Sequence, residues 1–65
     1  MITYDLDWET RDGACGRERY TDDFEALCDM EELITDPEVI EASVCKVETY
    51  GGMLWGVTTI REFER

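Results

Sequence analysis

Ile2-Thr3-Tyr4-Asp5-Leu6-Asp7-Trp8-Glu9 alternates apolar and polar residues without a fault over eight positions. A period of two is that of a half-buried β-strand, whose successive side chains point to opposite faces. Ile2, Tyr4, Leu6 and Trp8 therefore face a core, and Thr3, Asp5, Asp7 and Glu9 form a solvated row on the other side. Asp12-Gly13 reads as a turn, and Cys15 to Tyr20 either returns as a short strand or crosses to the next element.

Downstream, Asp22-x-x-Glu25 has the spacing of a capping box and precedes Phe24, Leu27, Cys28 and Ile34. A helix over about 22–34 follows, with Phe24, Leu27, Cys28, Met30 and Ile34 as its apolar stripe. Glu31 falls beside that stripe and must be paired or snorkel from its margin. Pro37 disfavours helical geometry at Asp36, so Thr35-Asp36-Pro37 ends the helix, and Pro37 to Ile40 is expected to make a further single turn. Glu41 to Tyr50 and Leu54 to Phe63 are rich in β-branched and aromatic residues and flank Gly51-Gly52, a hairpin signal. The expected fold is α+β, one domain over residues 1–65: a small antiparallel sheet of three to four strands covered on one face by a single helix.

Composition limits the function. The chain has 65 residues, 17 acidic against six basic, a net charge of −11. A chain this short buries only ~60% of the surface its unfolded form exposes, which argues against a deep pocket and multi-step catalysis. Its 43% apolar content argues equally against disorder. There is no His, Asn or Gln, so the commonest general base and metal ligand are missing. Cys15, Cys28 and Cys45 are odd in number and match no CxxC or zinc spacing. They read as reduced thiols of a cytoplasmic protein, with Cys28 and Cys45 in the core. Neither a signal peptide nor a stretch long enough to span a membrane is evident.

Asp5-x-Asp7-x-Glu9 resembles the start of a calcium loop, but the sixth loop position is Thr10 instead of Gly and the twelfth is Gly16 instead of Glu. Neither Ser43 nor the cysteines have a base to activate them. No catalytic residue, metal or cofactor is expected.

The charge distribution carries the remaining signal. Asp22, Asp23, Glu25, Asp29, Glu31, Glu32, Asp36, Glu38 and Glu41 lie in a stretch, residues 21–41, with no basic residue at all. On a helix, Asp22, Glu25, Asp29 and Glu32 gather on one flank, where like charges three or four apart each cost about 0.2–0.5 kcal/mol. A small domain that tolerates this self-repulsion points to a functional negative surface. Its carboxylates recur every ~5–6 Å along the helix, and those of Asp5, Asp7 and Glu9 every ~6.8 Å along the strand. Phosphates on one DNA strand recur every ~3.4 Å. A groove built to attract phosphates would attract this surface, with steered association and strong salt dependence.

In size, acidic stretch and one-helix layout the chain resembles the small phage-encoded anti-CRISPR proteins, particularly those that mimic double-stranded DNA against type I Cascade complexes. The resemblance implies a non-enzymatic inhibitor in the bacterial host cytoplasm that occludes the site reading the protospacer-adjacent motif. The residues expected to contact this basic nucleic-acid-binding partner are Asp22, Glu25, Asp29 and Glu32, then Asp36 and Glu38, with Asp5, Asp7 and Glu9 as a second row. Direct binding of nucleic acid or membrane is not expected. Two alternatives stand beside this reading: an immunity or antitoxin-like protein neutralising a basic nuclease, and an adaptor module binding through its sheet edge or aromatic face. A homodimer would bury Trp55 and lengthen the acidic surface.

Overall fold

The computed structural model describes residues 1–65. The elements are β1 (Ile2–Thr10), β2 (Cys15–Tyr20), α1 (Asp23–Leu33), β3 (Val39–Tyr50) and β4 (Met53–Glu64). They form one antiparallel four-stranded sheet in the order β2-β1-β3-β4, with α1 packed on one face against β3, β1 and β2. The expected α+β class and single helix are present, and Cys15 to Tyr20 is a strand.

Local chemistry explains the connections. Gly51 and Gly52 both have positive φ, 59° and 81°, and sit between the paired residues Tyr50 and Met53. A two-residue hairpin turn with positive φ at both positions matches the right-handed twist of the flanking strands, and glycine adopts it without a Cβ clash. Asp22 caps α1, its Oδ1 accepting the Phe24 N–H at 3.0 Å, but Glu25 returns no bond, so the capping box is only half formed. At the other end Arg65 satisfies a terminal carbonyl, donating from Nη2 to the Ile34 oxygen at 2.8 Å, and its Nε donates to the Val39 oxygen at the start of β3 at 3.1 Å. The expected extra turn over Pro37–Ile40 is shorter. The Val39 N–H bonds the Asp36 oxygen at 3.1 Å and β3 starts at once, because Val39 is needed in the core.

That core is small: Leu6, Ala26, Met30, Val39, Ala42 and Val44, flanked by Tyr4, Trp8, Tyr20, Leu27, Leu33, Ile34 and Phe63. Here the expected helix stripe is corrected. Phe24 is 71% exposed and Cys28 is exposed, while Ala26 and Met30 are fully buried. Ala26, Met30 and Leu33 recur at i, i+4 and i+7, and the alanine methyl lets the helix backbone approach the sheet closely, which a phenylalanine there would prevent. Cys45 also leaves the core, lying half-buried beside Asp5 and Thr59 on the face away from the helix. Glu31, the misfit of the stripe, is paired with Arg61.

The sheet outgrows its cover. Eleven helical residues span ~16 Å at 1.5 Å each, whereas the twelve-residue strands β3 and β4 run ~40 Å, matching the 39 Å long axis of the molecule. More than half of the β3–β4 hairpin therefore has no helix above it. No helix is long and apolar enough to cross a membrane.

Candidate acidic interface

Helix α1 and the turn after it hold the first group of carboxylates. Asp22, Asp23, Glu25, Asp29, Glu31, Glu32, Asp36 and Glu38 are all exposed, and Glu31 alone among them has a cationic partner. Asp22, Asp23 and Glu25 at the N-terminus gain from the helix dipole; Glu31 and Glu32 in the last turn, which has no basic residue, oppose it. Asp29, Glu32 and Asp36 surround a shallow depression of about 320 Å³ whose apolar floor is Leu33. Asp29 and Glu32, three residues apart on α1, share one flank as expected, and Asp36 joins them from the turn after the helix.

Not every carboxylate there is free to meet a partner. Asp22 is occupied as the cap. Asp29 Oδ2 accepts the Tyr20 hydroxyl at 2.6 Å, and burial of the phenol together with this acceptor pushes Tyr20 up to about 12. Asp36 Oδ1 accepts the Glu38 N–H at 2.9 Å, bracing the turn into β3. Glu25, Glu32 and Glu38 make no side-chain hydrogen bond or ion pair and are wholly available.

The β1 row departs from expectation. Asp5 is 5% exposed and is gripped by Arg19, Nε to Oδ1 at 2.9 Å and Nη2 to Oδ2 at 3.2 Å. That hydrogen bonding holds its carboxyl below the usual carboxylate range against the opposing effect of burial. Asp7 pairs with Arg17 at 2.5 Å. Because β1 is central, its outward row lies between β2 and β3, and the direct partners of Asp5 and Asp7 on β2 are the two arginines. The row is therefore a neutralised seam, and only Glu9 of the three stands without a cation.

Glu9 belongs to a different group that sequence reasoning missed. The registers place Glu9 opposite Glu41 and Glu41 opposite Glu64, three carboxylates abreast on neighbouring strands. With Asp7, Ser43 and Glu62 they line a depression of about 390 Å³. None of Glu9, Glu41, Glu62 and Glu64 forms an ion pair. Glu62-x-Glu64 was visible as two carboxylates on one strand face, but their meeting with Glu9 depends on a register set by the two bulges of β4. No group of side chains has metal-binding geometry. Both acidic groups approach the same end of the molecule, where β1 ends, β3 begins and Arg65 ties β4 to the helix terminus.

Comparison with protein-family models, curated proteins and solved structures finds no match to this chain.

Proposed function

We propose that this protein is a non-enzymatic inhibitor that occupies the basic nucleic-acid-binding groove of a partner protein with its acidic helix flank. The observation that supports this reading is the run of exposed carboxylates Glu25, Asp29, Glu32, Asp36 and Glu38, none paired with a cation, on a domain with only eight buried residues. Such a surface repels itself and leaves little stability in reserve, and a basic groove relieves the repulsion. The contact residues are Glu25, Glu32 and Glu38 first, then Asp29 and Asp36, each of which already accepts one internal hydrogen bond, with Glu9, Glu41, Glu62 and Glu64 extending the field around the same end. Asp22 acts mainly on the helix, and Asp5 and Asp7 on the sheet. No cofactor, nucleic acid or membrane takes part directly.

The resemblance to anti-CRISPR proteins makes a type I surveillance complex the first partner to test, through its site for the protospacer-adjacent motif. Labelled duplex DNA bound to the purified complex should be displaced by the wild-type protein, less so as salt rises. The variant Glu25→Lys/Asp29→Lys/Glu32→Lys should not displace it while keeping its circular dichroism spectrum. Equal displacement by both proteins would overturn the reading. Neutralisation of a basic nuclease uses the same surface and would show as one-to-one loss of nuclease activity. The uncovered apolar hairpin favours a second reading, docking through the edge of β4, which would be insensitive to salt.

A further inference from the structure

The outer edge of β4 is unlike the rest of the molecule. All 17 acidic and six basic residues lie outside Thr49–Ile60, and that segment also has no proline. It carries Tyr50, Met53, Leu54, Trp55, Val57 and Ile60, all exposed, with Trp55 at 76% and Tyr50 at 78%. The two rings lean on each other at 6.5 Å between centroids without covering either. The opposite edge, β2, is half as long and is guarded by Arg17, Glu18 and Arg19. Long, apolar, uncharged edges pair with other strands, whereas short charged ones do not.

We propose that β4 pairs with β4 of a second copy of this chain, antiparallel about a two-fold axis through Val57, which then stands opposite itself. The bulges confine the regular pairing to one stretch. Cys45 pairs with Thr59 and Val44 with Arg61, leaving Ile60 as one bulged residue; Glu48 pairs with Gly56 and Thr49 with Leu54, leaving Trp55 as the other. Between the bulges only Gly56–Thr59 is regular strand. Residues directly opposite in an antiparallel ladder share a face and a hydrogen-bond direction, so the axis falls on a residue; at Val57, the one apolar side chain of that stretch, it sets Val57 against Val57 and Gly56 against Thr58 of the other copy. The charged end of each β4, from Arg61 on, then lies against the uncharged turn half of the other, and no like charges are opposed.

Size and charge fit a second copy. The two aromatics at ~150–250 Å² each, with four partly exposed aliphatic side chains, offer on the order of 500 Å² per copy, so the pair reaches the ~1,000 Å² a specific interface needs. Helix α1 packs on β3, β1 and β2, so the acidic flanks sit on the outer parts of an eight-strand sheet. Five strand spacings separate one β1 from the other, ~24 Å, well beyond the ~8 Å screening length at physiological salt. The dimer closes both β4 edges and leaves only the guarded β2 edges free, so growth stops at two.

Sedimentation equilibrium of the wild-type chain tests this without any partner, so its outcome is independent of the proposed inhibition. The expected mass is twice 7.6 kDa, with amide exchange slowed at Gly56–Thr59 as concentration rises. Trp55→Ser and Thr58→Lys, both at exposed positions, should weaken association roughly tenfold or more with unchanged circular dichroism. A wild-type monomer up to about 1 mM would overturn the proposal and leave the edge to a different chain. A dimer unaffected by both variants, or protection appearing elsewhere, would overturn it as well.

Discussion

The indole of Trp8 lies directly on Gly16, its cross-strand partner: a Cβ at Gly16 would overlap the ring at Trp8 Cζ2. The glycine here is a seat for the ring, which in turn packs against the core. Gly16→Ala should therefore force the ring off its site and cost about 1–3 kcal/mol. Gly56, in β4, has open space where its Cβ would be, so Gly56→Ala should be neutral or slightly stabilising. Urea denaturation of the two variants side by side checks both, and equal midpoints would refute the seat.

Asp5 and Arg19 set the acid limit of the fold. The folded-state carboxyl of Asp5 is held below its ordinary range by the Arg19 hydrogen bonds. A depressed pKa contributes stability that is present above the unfolded value of ~3.9 and lost as pH falls through the lower folded value. Stability should decline below about pH 4, and the decline should be shallower in Asp5→Asn. Arg19→Ala should cost about 1–3 kcal/mol at neutral pH, by stranding a carboxylate that is almost out of solvent. Thermal melts across acid pH measure both.

Tyr20 sets the alkaline limit with the opposite sign. Its phenol is raised to about 12 by burial and by the Asp29 acceptor, above the ordinary ~10. A raised pKa contributes stability that is complete below the unfolded value and lost as pH climbs through the folded one. Stability should fall between pH ~10 and ~12, and Tyr20→Phe should flatten that fall. Tyrosinate absorbance, followed through the titration, should show one of the three tyrosines ionising late.

Strands β1, β3 and β4 and the helix were legible because each announces itself locally, whereas Cys15 to Tyr20, with no alternation, could be read as strand or crossing. Residues 2–9 alternate, Gly51-Gly52 demands positive φ, and Asp22 stands where a cap is needed. The helix rotation was not legible, since Phe24 is the more hydrophobic choice and only the closeness of the sheet makes Ala26 the better one. The exposed carboxylates of α1 followed from helical spacing alone. The fate of Asp5, Asp7 and Glu9 did not, because it rests on which residues of β2 and β3 stand across from them. One register neutralises the first two with Arg19 and Arg17, and another places the third beside Glu41.

That last juxtaposition separates stability from function. Glu9, Glu41 and Glu64 face one another across three strands with no cation among them, and like charges directly opposite each cost about 0.2–1 kcal/mol. Glu41 lies between the other two and bears the repulsion of both. Glu41→Gln should therefore stabilise the fold by roughly 0.5–1 kcal/mol, and added salt should stabilise the wild type more than the variant, since screening removes what the substitution has already removed. If the carboxylates serve a basic partner, the stabilised protein should bind it more weakly, a trade expected where a destabilising cluster is kept for use. Denaturation midpoints at low and high salt, with partner affinity measured on the same samples, test the two halves separately. A Glu41→Gln variant that is no more stable than wild type would show that the three carboxylates do not repel one another. One that is more stable and binds equally well would confine recognition to the helix flank.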